Sequence, residues 1–115
     1  MKFPNIANAR FAFRGLWVAL TQETQVLWLV ILSSAFFTIA AARGGTTNEL
    51  LILGMLFTFT IAIEIFNACI ERICDLVHPE KDVRIKDIKD LAAGATLLVS
   101  LISLASWLVV IFLRA

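Results

Sequence analysis

The sequence predicts an all-α membrane protein, with an amphipathic helix lying in the membrane interface followed by three transmembrane helices, all in one domain over residues 1–115. Three observations carry this prediction. Hydrophobic residues make up 60% of the chain and charged residues 17%, against roughly 45–50% and about 25% in soluble domains. The apolar residues fall in three long blocks, the pattern of membrane-crossing helices. The length of 115 residues fits one domain of the usual ~100–200 residues and excludes a two-domain enzyme. Ten Lys plus Arg against nine Asp plus Glu leave a net charge of +1, so no basic excess is available to hold nucleic acid.

Residues 3–25, FPNIANARFAFRGLWVALTQETQ, are less apolar than the three blocks and carry Arg10 and Arg14 beside Phe3, Phe11, Phe13 and Trp17. This mixture reads as an interfacial helix. Ile6, Phe13, Leu16, Trp17 and Leu20 share one face at helical spacing, while Phe11 and Val18 fall on the other side, so contact with protein is expected as well as contact with lipid. The first span, 26–42, reads VLWLVILSSAFFTIAAA. At 1.5 Å per residue it covers about 25 Å, slightly short of a hydrocarbon core of about 30 Å.

The turn RGGTTNE follows, in which Gly44 and Gly45 break the helix and Thr46 to Glu49 has capping-box spacing. The second span, 50–77, is uniformly apolar to Ile63, then carries Glu64, Asn67 and Glu71. The connection over 78–90, HPEKDVRIKDIKD, holds Pro79, Lys81, Arg84, Lys86 and Lys89 and reads as a polar loop. The third span, 91–113, has no formal charge and is the strongest transmembrane signal in the chain. Cys69 and Cys74 lack CxxC spacing and read as reduced small hydrophobes. Lys2, Arg10, Arg14, Arg72 and the four basic residues of the connection flank one side, and Arg43 and Arg114 the other. The positive-inside rule therefore predicts a multi-pass plasma (inner) membrane protein with its N-terminus and the 78–90 connection cytoplasmic and its C-terminus outside.

The second span holds the chemistry. Counted from Leu50, Glu64 lies at a depth of about 21 Å and Glu71 at about 31 Å, close to the far boundary of the hydrocarbon core. At 100° per residue Glu64, Asn67, Glu71 and Asp75 fall within an arc of about 80°, one acidic stripe on one helix face. An acidic residue at a helix centre costs roughly 2.5–3.5 kcal/mol, less near the interface, and usually marks a pathway or a site. Carboxylates without His or Cys partners suit a hard cation such as Mg²⁺, which commonly bridges nucleotide phosphates. Lys89 offers a point charge to phosphates with Asp90 beside it, and Glu23 at the end of the interfacial helix is a further candidate metal ligand. No GxxxxGK[ST], GxGxxG or kinase catalytic loop is present. His78 reads as a loop residue, and Trp17, Trp28 and Trp107 as belt or packing residues. Other readings stay open: Glu64 paired with Arg10 or Arg14 in a purely structural role, or a small transporter subunit using Glu64 as a proton or cation site.

EIFNACIERICDLV from Glu64 and KDLAAGATLL from Lys89, with FRGLWVALTQE ahead of the first span, resemble the small prokaryotic diacylglycerol kinase and undecaprenol kinase family over nearly the whole chain. The resemblance implies a homotrimeric integral membrane kinase that transfers the γ-phosphoryl group of ATP, with Mg²⁺, to a lipid hydroxyl without a conventional kinase fold. By matched position it implies Glu64 as general base with Asn67 positioning, and Glu71 and Glu23 as metal-holding carboxylates that also meet the nucleotide. Lys89, Asp90, Glu80 and Asp82 are then nucleotide contacts, and Arg14, Glu64 and Ala93 lipid contacts. The chain departs from the family pattern at Leu29, where members often carry a polar or ionisable residue, and at Phe11, where some carry Tyr. Residues 92–95, AAGA, are closer to the undecaprenol-type branch, although small residues there equally serve helix packing. Diacylglycerol and undecaprenol both remain open as acceptor.

Overall fold

The computed structural model describes residues 6–113, with side chains from residue 9 onward. Lys2, Phe3, the Ile6 side chain and Arg114 lie outside the described residues. Helices α1 (Ile6–Gln22), α2 (Thr24–Ala42), α3 (Thr47–Val77) and α4 (Val83–Leu108) follow one another, and α4 runs on into a π-helical turn over Val109–Leu113. No strand occurs among the described residues. Three helices are long and apolar enough to cross a membrane: Thr24–Ala42, Thr47–Val77 and Val83–Leu113. With 31 residues, α3 is about 46 Å long and exceeds a bilayer core by about 16 Å. That surplus lets one helix cross the membrane and still present polar residues at its end.

The α2–α3 hairpin follows its local chemistry. Thr46 caps α3: its backbone N–H donates to Glu49 Oε1 (2.8 Å) and its Oγ1 accepts from the Glu49 N–H (3.2 Å), the expected capping box. Gly44 has a φ of 85°, in the region that favours glycine. A Cβ on Gly45 would lie 2.9 Å from the Ala40 carbonyl oxygen, so the close turn excludes a side chain there.

The two largest departures from the expected boundaries each have a physical reason. The interfacial helix, expected over 3–25, ends at Gln22, because Glu23 takes an extended backbone and α2 starts at Thr24. Arg72 of α3 holds the Glu23 carboxylate (2.7 Å) and the Gln22 side-chain oxygen (3.2 Å), tying the break to α3. The connection, expected to be a loop over 78–90, is helical from Val83. The Asp82 carboxylate accepts from the Arg84 N–H (2.8 Å) as an N-cap and takes the Arg84 guanidinium (2.9 Å). Those contacts hold the Asp82 carboxyl below the usual carboxylate range. Lys86, Lys89 and Asp90 therefore sit on the first turns of α4.

Apolar side chains face outward. Phe13, Leu16, Trp17 and Leu20, on the expected apolar face of α1, are all exposed, as are Leu97, Leu98, Leu101 and Ile102 on α4. In a bilayer this is the stable arrangement, because lipid tails solvate such groups as well as a core does. Helix association then rests on close packing and interhelical hydrogen bonds. At the hairpin end Ala40, Leu53, Phe57 and Ile111 form a buried cluster backed by Phe36 and Trp107. Trp107 stacks on Phe36 with ring centroids 4.5 Å apart and donates its Nε1–H to the Phe36 carbonyl (2.7 Å). Midway along, the buried Thr60 and Ser103 hydroxyls meet at 2.7 Å, and both also reach the Leu56 carbonyl. These bonds join α3 to α4.

We predict that Ser103→Ala lowers stability to unfolding in detergent by about 0.6 kcal/mol and by no more than about 1.7, the range of interhelical bonds in membranes. Chemical unfolding monitored by circular dichroism checks this, and a loss of several times that size would show that Ser103 does more than bridge α3 to α4.

Candidate active site

Glu64, Asn67 and Glu71 lie at successive turns of α3, so the helix itself aligns them. Glu64 is 5% exposed and Asn67 6%. Asn67 is the hub: its Nδ2 donates to Glu64 Oε1 at 3.4 Å and to Glu71 Oε1 at 3.3 Å. Both bonds are long, because one amide is shared between two carboxylates. Its Oδ1 is buried and has no hydrogen-bond partner, an acceptor that a buried amide normally satisfies.

These three residues open onto a cleft of about 320 Å³ whose other walls are Ala93, Thr96 and Ser100 of α4 and Gln25 and Leu29 of α2. Ala93, Thr96 and Ser100 follow one another at spacings that share a helix face. Ala93 thus lies in one cleft with Glu64 and Asn67, together with Thr96, Ser100 and Gln25, which the sequence reading did not include. The spacing along α4 is the signal that could have found Thr96 and Ser100. Leu29 lines this cleft too.

A second cleft, of about 620 Å³, lies where the end of α3, the short connection and the first turns of α4 meet. It is lined by Asp75, His78, Glu80, Lys81, Asp82, Lys86, Lys89 and Asp90 among others. The structure thus gathers Lys89, Asp90, Glu80 and Asp82 in one place. Lys89 donates to Asp75 (2.7 Å) and Lys86 to Asp90 (2.6 Å). Asp75, expected in the same stripe as Glu64, therefore faces this second cleft.

The other expected site residues stand apart. Glu23 borders neither cleft: it lines a hollow between α1 and α3 with Gly15, Ala19, Cys69 and Arg72, paired with Arg72. Arg14 is exposed on α1. Arg72 is the residue that sequence reasoning missed here, since only the fold brings it to Glu23. Among the described residues no group of three or more His, Cys, Asp or Glu is placed to hold a metal ion. The donors nevertheless suit Mg²⁺, which takes oxygen ligands and commonly binds one or two carboxylates with its remaining positions on water and phosphate. The Glu71 carboxylate and the orphaned Asn67 Oδ1 supply such oxygens in the first cleft.

The family model for prokaryotic diacylglycerol kinase matches residues 10–111, nearly the whole chain. No curated protein matches the chain.

Because the Arg72–Glu23 pair is partly exposed, its worth is small, but it is positioned to set the α1–α2 break. Arg72→Ala is expected to leave the protein folded while amide hydrogen exchange accelerates around residues 20–26. Unchanged exchange at those amides would show that the break is set without Arg72.

Proposed function

The chain belongs to the prokaryotic diacylglycerol kinase family, a family of membrane lipid kinases, and from that premise we propose that it transfers the γ-phosphoryl group of ATP to the hydroxyl of a membrane lipid, diacylglycerol or undecaprenol. The observation that carries the site assignment is the Glu64–Asn67–Glu71 array on α3, its first two members buried and all three open to a cleft at the α3–α4 seam. Phosphoryl transfer asks a protein mainly for positioning and charge neutralisation. This array needs only a carboxylate to take a proton and a cationic neighbourhood for phosphates.

In this reading Glu64 is the general base. As its carboxylate takes the proton from the lipid hydroxyl, the O–H bond breaks and the lipid oxygen bonds to the γ-phosphorus. The bond from that phosphorus to the ADP oxygen breaks, and ADP leaves. Asn67 holds the Glu64 carboxylate toward the cleft through Nδ2. Glu71, with Glu23, would hold Mg²⁺, which when bound neutralises phosphate charge. Glu23 then exchanges its Arg72 partner, a change within reach of an exposed pair. Lys89 and Asp90 exchange Asp75 and Lys86 for nucleotide, with Glu80 and Asp82 as loop contacts. Ala93 leaves room opposite Glu64 for the lipid, and Arg14 on the interfacial helix meets its head.

The N-terminus and the connection are cytoplasmic in this account, where ATP is available, and the functional unit is a homotrimer. A transporter subunit using Glu64 is not favoured, because the chain belongs to a kinase family and a cleft with basic side chains lies against the α3–α4 seam.

The test is Mg²⁺-dependent transfer of labelled γ-phosphate from ATP to diacylglycerol and to undecaprenol in parallel. Glu64→Gln keeps the shape and removes the base, so transfer is expected to fall by at least about 100-fold with the folded oligomer intact. Near-wild-type turnover would refute the base, and the preferred acceptor names the lipid. Glu71→Ala is expected to abolish Mg-ATP binding measured by calorimetry; unchanged binding would place the metal elsewhere.

A further inference from the structure

Glu64 is buried, yet on its own helix it has only a shared amide: Asn67 Nδ2 reaches it at 3.4 Å while also serving Glu71 at 3.3 Å. A carboxylate accepts at two oxygens, and a bond of that length fixes orientation poorly. A second polar group faces it from across the helix interface. Thr96 lines the same cleft on α4, across from Glu64 and Asn67, and its hydroxyl acts on the Glu64 carboxylate from that wall. The same Oγ1 is also 3.3 Å from the Ala92 carbonyl one turn back, a long bond that the hydroxyl gives up readily.

We propose that Thr96 is a positioning residue for phosphoryl transfer, in which its hydroxyl aims the Glu64 carboxylate into the cleft from α4. The inference rests on the assignment of Glu64 as base. A hydroxyl suits this task in a way an amide N–H does not, because it donates and accepts. It donates to the carboxylate before the lipid proton arrives. Once Glu64 holds that proton, Oγ1 accepts from the new carboxyl O–H and turns its own hydrogen to Ala92. Asn67 Nδ2 can only donate. Aim matters here because small misplacement of a reacting group costs large factors in rate. Ser100 is one turn further along the same face and supports the same polar wall. Since α4 also carries Lys89, one rigid helix places both the group that aims the base and a group that meets the nucleotide.

The experiment compares Thr96→Val, which keeps the shape, with Thr96→Ser, which keeps the hydroxyl. Thr96→Val is expected to lower kcat by about tenfold or more with KM for ATP essentially unchanged, and Thr96→Ser to restore most of it. The infrared carboxylate stretch of Glu64, isolated by difference from Glu64→Gln, is expected to shift in Thr96→Val and not in Thr96→Ser. A wild-type kcat and an unmoved band in Thr96→Val would overturn the proposal. Equal slowing in both variants, in proportion to lost folded protein, would overturn it in favour of a packing role. If Glu64→Gln turns over normally, the base assignment fails and the catalytic role of Thr96 falls with it, while the infrared band still reads whether the contact exists.

Discussion

Polar groups carried into a membrane must find partners inside the protein, and α3 carries two carboxylates and an amide on one face. Lipid offers no hydrogen bonds, so every such group is costly unless neighbours meet it. The long α3 answers this by turning its polar face toward α4 and α2, where Asn67 links Glu64 to Glu71 and the cleft receives their remaining oxygens. What stays unmet is Asn67 Oδ1. An unsatisfied buried acceptor is a cost in a structural site and an asset in one that receives a ligand.

The two halves of the helical layer do different work. Toward the hairpin, Trp107 on Phe36, the Thr60–Ser103 pair and the cluster around Leu53 fix α2, α3 and α4 against one another without any charge. Toward the connection, the contacts are ion pairs and long hydrogen bonds that can exchange partners: Lys89 with Asp75, Lys86 with Asp90, Arg72 with Glu23. Firm packing at one end lets the other stay open without loss of alignment. A kinase whose substrates come from water and from the bilayer has use for that division, with charge at the interface and neutral packing below it.

Features set by local chemistry were legible in the sequence. The Thr46–Glu49 cap, the glycine turn, the three apolar spans and the shared face of Glu64, Asn67 and Glu71 all follow from spacing and side-chain type. Features that depend on contacts between distant residues were not. At the break Glu23 and Gln22 are held by Arg72, nearly fifty positions away, a partner that residues 3–25 do not reveal. Asp75 shares the angular stripe with Glu64 but is drawn to Lys89, a partner that only the return of the chain along α4 provides. The helical start at Val83 lies between these cases, since Asp82 is an ordinary N-cap residue masked by the charge of its surroundings. Thr96 and Ser100 were visible as small polar residues in an apolar span, but their relation to Glu64 is a matter of how α4 is rotated about its axis.

In the proposed mechanism nucleotide and lipid meet along the α3–α4 seam, with the phosphate-bound metal next to Glu71. The most direct measurement replaces Mg²⁺ with Mn²⁺ in a bound nucleotide and follows paramagnetic broadening of side-chain and backbone signals. Strongest broadening is expected at Asn67, Glu71 and Lys89, fading toward Trp107. Broadening confined to the 78–86 stretch, with the Asn67 side-chain amide unaffected, would contradict that mechanism.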